Sequence, residues 1–309
     1  MKFRQIREFI RTGIWDADLS AYSKFKARVT RHLKVFLITL RTFSNKQVGY
    51  RAVALAFFTT IALVPCIALA FAITNGFGID DDLAQLLLLN YSAQEEIIKT
   101  VLQYADNVIG ATQRGGFGIV SFICFIWLVF WLMIQVESNF NYVWGVRVGK
   151  TRKIWKRLGA YFMIIILLPF VIIMFLATSL QFSQGNGLMN LLINIPFWDK
   201  ISDGVRWLLT YGITALVLTL MYKFIPTPKV KFSNAWHSAL LTAILFCIFQ
   251  WIYVETQIFF NRLNGVFGAV AAIPFLMIWL NVSWFIVLFG NELTYAFHNV
   301  ETYNPLTEK

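Results

Sequence analysis

The sequence predicts an all-α, polytopic integral membrane protein, a bundle of six transmembrane helices. The first observation is six long apolar runs at about 52–74, 117–135, 159–180, 205–225, 235–259 and 269–290. Each run is near the roughly 20 residues that an α-helix needs to cross about 30 Å of hydrocarbon. The second observation is the composition, 58% hydrophobic and 14% charged, whereas a soluble domain has about 25% charged residues.

The third observation is the uneven distribution of Lys and Arg among the connections. Basic residues are concentrated before the first run and in the connections after the second and fourth runs. The positive-inside rule then places the N-terminus and the C-terminus in the cytoplasm. The net charge of +11 is therefore assigned to the cytoplasmic face, where anionic lipid headgroups attract it. Membrane lipids are the predicted partner in preference to nucleic acid, and the sequence indicates no oligomeric state.

Residues 1–50 are predicted to form a basic amphipathic helical extension. Apolar residues from Leu19 to Phe43 recur at steps of three and four and line one face, and most of the basic residues occupy the remainder. A helix of this kind is expected to lie in the membrane interface with its apolar side in lipid. Packing against the cytoplasmic ends of the spans is the alternative. Residues 51–297 form the predicted membrane domain, and residues 298–309 form a cytoplasmic tail.

The two outer connections are predicted to contain short extracytoplasmic helices. In the first, 75–116, apolar and polar residues of 95–109 follow an amphipathic helical pattern. Between the third and fourth runs, 188–198 is apolar but contains Pro196, which favours an interfacial or re-entrant segment.

Polar groups inside predicted spans are the default candidates for a transport path, because burying them in hydrocarbon is costly. Those chosen from the residues themselves are Thr59, Gln250, Glu255 and Asn281, together with Pro65, whose ring interrupts helical hydrogen bonding in the first span. Buried pairing of Glu255 with Arg262 is the competing interpretation. A kink at Pro65 is equally consistent with an ordinary membrane helix.

A second candidate set lies where the second and sixth spans end on the cytoplasmic side. It consists of Glu137, Asn141 and Glu292. The carboxylates of Glu137 and Glu292 are expected either to approach each other or to form structural ion pairs with Arg147, Lys150 or Lys223. The alternative interpretation is a cytoplasmic gate or proton site.

No spacing in the sequence indicates a metal, a cofactor or a catalytic centre. The three cysteines and three histidines lie in separate regions without zinc-ligand spacing. Phosphate-binding and nucleophile-elbow motifs are also absent from the sequence. The chain is therefore predicted not to be an enzyme.

Several motifs from about residue 50 to residue 297 resemble the YihY/BrkB family of bacterial inner-membrane proteins, formerly named ribonuclease BN. They are 52–58 leading to Pro65, 137–141 followed by Trp144-Gly145-Val146, Phe224-Ile225-Pro226, Asn264–Gly268, Trp279 and Gly290–Leu293. Phe267 stands where the family usually has Tyr. The resemblance implies a six-span plasma-membrane protein associated with virulence and envelope lipids, and it adds Asn264 and Gly268 to the candidate path.

The leading hypothesis from these observations is a secondary transporter or flippase-like protein for an envelope-related, amphiphilic or lipid solute. The alternative is a non-transporting scaffold that recruits envelope proteins through its basic face. A ribonuclease is least favoured, because RNA hydrolysis requires a metal or acid–base cluster in a water-exposed site.

Overall fold

The computed structural model describes residues 15, 23–76, 103, 116–146, 203–263 and 268–303. These residues contain six long α-helices and no β-strand. The helices are α1 (Lys24–Asn45), α2 (Val48–Gly76), α3 (Gly116–Val143), α4 (Asp203–Phe224), α5 (Phe232–Leu263) and α6 (Gly268–Asn299). The predicted all-α class is thus confirmed for this part of the chain. The predicted third span, 159–180, and nearly all of both outer connections lie outside the described residues.

Two segments in the described part are long and apolar enough to cross a membrane, namely Phe232–Thr256 of α5 and Pro274–Asn299 of α6. Val48–Ala62 of α2 is a shorter apolar segment. Helices α2, α3 and α4 coincide with the first, second and fourth predicted spans, and the count of six spans stays a prediction.

The helices continue past the ends of the apolar runs. Helix α3 extends to Val143 and α6 to Asn299, whereas the runs end at about 135 and 290. Apolar runs mark the residues suited to hydrocarbon, but helical backbone hydrogen bonding continues through polar residues that have partners.

Helix α6 lies at the centre of the described helices and contacts α1, α2, α3, α4 and α5. Helix α2 also packs on α1 and α3, and α4 packs on α5. Their shared core includes the fully buried side chains of Leu55, Met133, Phe140, Tyr222 and Leu288.

A close approach between α6 and its neighbours occurs at Gly290. A Cβ there would overlap the hydroxyl oxygens of Tyr222 and Thr242 and would lie 2.7 Å from Tyr222 Cζ. The Tyr222 hydroxyl donates a hydrogen bond to the Val287 carbonyl at 3.0 Å. Only a residue without a Cβ lets α4 and α5 approach α6 this closely.

Helix α1 packs on the last turns of α6. Its docked face consists of Thr30, Lys34, Val35, Ile38, Thr39 and Thr42, and the apolar part of this face packs with Leu293, Ala296, Phe297 and Val300. Packing against helix ends, the alternative considered from the sequence, is therefore observed for one face of α1. The predicted apolar face is largely exposed, and its location in the membrane interface stays a prediction.

Candidate functional site: polar contacts along the central helix

Buried and half-buried polar side chains gather at one end of the described helices, where α1, α3 and α6 end and α2 begins. We call this group the end cluster; its members are Thr42, Lys46, Arg51, Glu137, Asn139, Asn141, Trp144, Asn291 and Glu292. Asn291 and Glu292 have no exposed surface, and Glu137 is 6% exposed. Such groups are stable inside a protein when hydrogen bonds and opposite charges satisfy them.

Glu292 is held by two residues from the end of α1. Its Oε2 accepts a hydrogen bond from Thr42 Oγ1 at 2.9 Å, and its Oε1 lies 3.5 Å from Lys46 Nζ. Lys46 Nζ also donates to the Val143 carbonyl at 2.6 Å and lies 4.1 Å from the centroid of the Tyr295 ring. The ammonium group therefore joins α1, α3 and α6.

Asn291 joins α6 to the end of α3. Its Nδ2 donates to the Phe140 carbonyl at 3.1 Å, and its Oδ1 accepts from Trp144 Nε1 at 3.1 Å. The Trp144 ring also packs edge-on against Tyr295, with 5.6 Å between the ring centroids. The Asn291 side-chain amide thus fixes both the backbone of α3 and the indole of Trp144, which directly follows α3.

The chain turns sharply after Trp144, which places the indole against α6. Gly145 has φ +66°, and its N–H donates to the Tyr142 carbonyl at 3.0 Å. The Val146 N–H donates to the Asn141 carbonyl at 3.0 Å. This pair of bonds is the Schellman helix ending, in which glycine accommodates the left-handed position.

The polar side chains of α3 also contact α2 and the connection between α4 and α5. Arg51 Nη1 donates to Asn139 Oδ1 at 3.2 Å, and its guanidinium lies 3.2 Å from the centroid of the Tyr142 ring. Asn141 Oδ1 accepts from the Thr227 backbone N–H at 2.7 Å. Hydrogen bonds therefore join α3 to α2, to α6 and to the α4–α5 connection.

The structure places the predicted residues Glu137, Asn141 and Glu292 together at this end. The observed cation beside Glu292 is Lys46, which the sequence presented only as one of many basic residues before the first span. Its spacing of four residues from Thr42 puts both side chains on one face of the chain. Lys223, a predicted partner, donates to the Val230 carbonyl. Arg147 and Lys150 lie outside the described residues.

Two members of the predicted path make polar contacts with α6. Gln250, 1% exposed, accepts a hydrogen bond at Oε1 from Trp279 Nε1 at 2.8 Å. Thr59 Oγ1 accepts from Trp284 Nε1 at 2.9 Å and donates to the Leu55 carbonyl at 2.7 Å. The two indole donors were not chosen from the sequence as path residues, because tryptophan in a span usually indicates an interface anchor.

The other members of the predicted path are not brought together. Glu255 is exposed on α5, on the side that also exposes Ile248 and Ile252, whereas Gln250 faces the interior. Asn281 is half-buried on α6. Gly268 is the first residue of α6, and Pro65 lies within α2. Asn264 and the side chains of Pro65 and Arg262 lie outside the described part of the structure.

Side chains of α6 therefore make polar contacts with neighbouring elements at the levels of Trp279, Trp284 and Asn291–Glu292. At 1.5 Å per residue these levels extend over about 20 Å of helix. Within the described residues, no group of three or more His, Cys, Asp or Glu side chains is placed to hold a metal ion. The hydrogen bonds at Trp279 and Trp284 are neutral, whereas at the end cluster the Glu292 carboxylate accepts from Thr42 and lies beside the Lys46 ammonium group.

Comparison with known proteins identifies a family. The model of the family described as virulence factor BrkB matches residues 39–309. A UPF0761 membrane protein of Verminephrobacter eiseniae is 29% identical over 90% of this chain and 64% of its own length. UPF0761 membrane proteins of Coxiella burnetii and Haemophilus influenzae are 28% and 25% identical, over 81% and 83% of this chain and 88% and 92% of their own lengths.

The chain thus spans just under two thirds of the Verminephrobacter relative. No solved structure matches it. The family match covers most of the chain, the matched relatives are named membrane proteins, and the resemblance seen in the sequence motifs is confirmed. The chain is therefore a membrane protein that belongs to the virulence factor BrkB family.

Proposed function

We propose that this protein is a secondary transporter or flippase-like protein for an envelope-related, amphiphilic or lipid solute. Its proposed location is the bacterial inner membrane, with both termini in the cytoplasm. The observation that carries the proposal is the series of polar contacts along α6, from the Trp279–Gln250 bond to the buried Glu292. Polar and ionisable groups inside membrane helices are costly and usually mark a path for solutes or protons.

The end cluster suits the closed end of such a path. Lys46 and Glu292 join α1 to α6, and Asn291 and Trp144 join α6 to α3. A solute leaving at this end has to break these contacts. Because several hydrogen bonds and one ion pair close the end, the cluster suits a cytoplasmic gate whose opening requires a change in the positions of the helices.

An exposed carboxylate on an apolar face favours an amphiphile over a small polar solute. Glu255 shares its side of α5 with Ile248 and Ile252, which are both half exposed. A lipid with a cationic group in its head, such as phosphatidylethanolamine, matches this combination because its ammonium pairs with a carboxylate and its chains cover apolar side chains. Pairing of Glu255 with Arg262 remains the competing proposal.

The test is movement of a fluorescent phosphatidylethanolamine between the two leaflets of proteoliposomes. The readout is the fraction of the probe that is bleached by dithionite added outside. Wild-type protein should raise that fraction above protein-free vesicles. Gln250→Leu and Glu255→Gln should lower the rate several-fold, with Asn264→Ala as a third variant and the lipid-facing Ile248→Leu as the matched control. A rate equal to that of protein-free vesicles, or one unchanged by all three variants, would refute the assignment.

The alternative proposal is a non-transporting scaffold for envelope proteins. It is favoured by the exposed bases of α1, which include Lys24, Lys26 and Arg28. A stoichiometric membrane partner that copurifies with the full chain, and is lost when residues 1–45 are deleted, would support it. Neither proposal includes an enzymatic reaction, so purified protein is expected to leave RNA intact in the presence of Mg²⁺.

A further inference from the structure

Helix α1 has two opposite faces with different surroundings. One face is buried on α6; Val35 and Ile38 at its centre are 1% and 0% exposed. The other face is a stripe of five apolar side chains that are 43 to 78% exposed. The stripe consists of Phe25, Val29, Leu33, Phe36 and Leu40. Steps of three and four residues place these side chains on one side of the helix, and Ile38 lies about 200° around from Phe36.

The stripe is continuous with the exposed surface of a candidate membrane span. At its C-terminal end it leads to Phe43, whose ring packs edge-on against Phe285 and Phe289 at centroid distances of 4.8 and 5.6 Å. Phe285 is 40% exposed, and both rings belong to the Pro274–Asn299 segment of α6. Because the two surfaces adjoin, the medium that covers the exposed face of α6 also reaches the stripe.

Helix α1 runs antiparallel to the end of α6. Thr42 contacts Glu292, and eleven residues earlier Arg31 pairs with Glu301 at 3.7 Å. The part of α1 from Leu33 onward, which also carries Phe36 and Leu40, therefore lies beside the candidate span. The N-terminal half lies beside the end of that span at Asn299.

The charges of α1 are also distributed unevenly between the part beside the candidate span and the part beside the end of that span. Exposed bases dominate the N-terminal half at Lys24, Lys26, Arg28 and Arg31, and the helix contains no acidic residue. Bases near an anionic membrane surface are attracted to its headgroups. A second copy of the chain packed stripe to stripe would bring two sets of these bases together. Repulsion between like charges therefore disfavours a second copy as the cover of the stripe.

We propose that α1 is a lipid-binding element whose stripe is covered by an anionic leaflet. Leu33, Phe36 and Leu40 contact acyl chains, and the bases between Lys24 and Arg31 contact headgroup phosphates. The opposite face stays docked on α6, so the leaflet and the bundle hold the helix from two sides. This inference does not depend on transport.

The test measures the depth of single nitroxide labels on the full chain in nanodiscs. Cys66, Cys124 and Cys247 are first replaced by alanine, and Leu33→Cys, Phe36→Cys and Leu40→Cys are then labelled one at a time. Power saturation compares collisions with oxygen, which concentrates in acyl chains, and with a water-soluble nickel chelate. The control is a label at Thr302→Cys, an exposed position just after α6 that lies outside the proposed lipid contacts.

In nanodiscs rich in phosphatidylglycerol, the three stripe labels should collide preferentially with oxygen and the control label with nickel. In phosphatidylcholine nanodiscs the stripe labels should lie closer to water, because the bases lose their anionic partners. Nickel access to the stripe in both lipids would overturn the proposal, as would dipolar broadening between two labelled copies. Equal depth in the two lipids would overturn its anionic part.

Hydrogen exchange of the unmodified chain provides a measurement that needs no cysteine variants. The amides of residues 24–40 should exchange more slowly in the anionic nanodiscs than in the zwitterionic ones. The amides of α5 should exchange at the same rate in both, and equal rates for α1 as well would contradict the proposal.

Discussion

Replacing Lys46 by methionine removes the ammonium group that lies beside the buried Glu292 carboxylate. The Nζ–Oε1 distance is 3.5 Å, and the two side chains are 19% and 0% exposed. At that distance two unit charges attract by about 5 kcal/mol with an effective dielectric constant of 20. Since Glu292 cannot regain water, we expect Lys46→Met to lower the free energy of unfolding by about 3 kcal/mol, at the lower end of values for broken buried pairs.

The reverse substitution should cost less. Glu292→Gln removes the buried negative charge and keeps an oxygen that accepts from Thr42. Lys46 retains the Val143 carbonyl and the Tyr295 ring as well as partial contact with water. We therefore expect a loss of about 1–2 kcal/mol for Glu292→Gln. The double variant should be no less stable than Lys46→Met alone, because it leaves no buried charge without its ion-pair partner.

The exposed pair Arg31–Glu301 is the matched control. Its Nη2–Oε1 distance of 3.7 Å is similar, but its side chains are 48% and 77% exposed. The coupling energy between Arg31→Met and Glu301→Gln should therefore be about 0–1 kcal/mol. Reversible unfolding in mixed micelles, followed by circular dichroism, gives both double-mutant cycles. Equal coupling in the two pairs, or a larger loss for Glu292→Gln than for Lys46→Met, would refute the reasoning.

Three further substitutions test the packing around the end cluster by the same unfolding measurement. Gly290→Ala should lower stability by about 1–3 kcal/mol through overpacking, whereas Gly49→Ala should be neutral because its Cβ would meet the nearest atom at an ordinary 3.6 Å. Gly145→Ala should cost about 1–2 kcal/mol at its left-handed position, whereas Gly212→Ala, with open space around its Cβ, should be neutral or stabilising. Asn291→Leu should cost about 1–3 kcal/mol and speed hydrogen exchange of residues 141–146. A Gly290→Ala variant as stable as Gly49→Ala, a stable Gly145→Ala, or unchanged exchange at 141–146 would each contradict the geometry described.

The lengths of the apolar runs predicted that these helices exist, but they did not predict the residues at which the helices end. The run that predicts the sixth span ends at about 290, yet α6 continues to Asn299. The added turns contain Asn291 and Glu292, whose polar groups find partners on α1 and α3. A hydropathy pattern records the transfer cost of a lone side chain, so it underestimates helices whose polar residues are satisfied by neighbours.

The candidate site was likewise predicted only in part. Glu137, Asn141 and Glu292 stood out because they adjoin apolar runs, within which charged and amide groups are uncommon. Their partners did not stand out in the sequence. Thr42, Lys46 and Arg51 lie before or at the start of the first span, and Trp144 follows the end of α3. Gln250 was chosen from the sequence, but its tryptophan donor lies 29 residues away on another helix.

The sequence by itself determined the all-α membrane class of this protein, because the length and apolarity of a run depend on each residue's own affinity for water or lipid. It also determined the family, through short motifs read in order along the chain. Only the tertiary structure decided that α1 uses one face to dock on α6 and leaves its apolar stripe exposed. Only the structure paired Lys46 with Glu292, because a contact across about 250 residues depends on how helices pack and not on the spacing within any one of them.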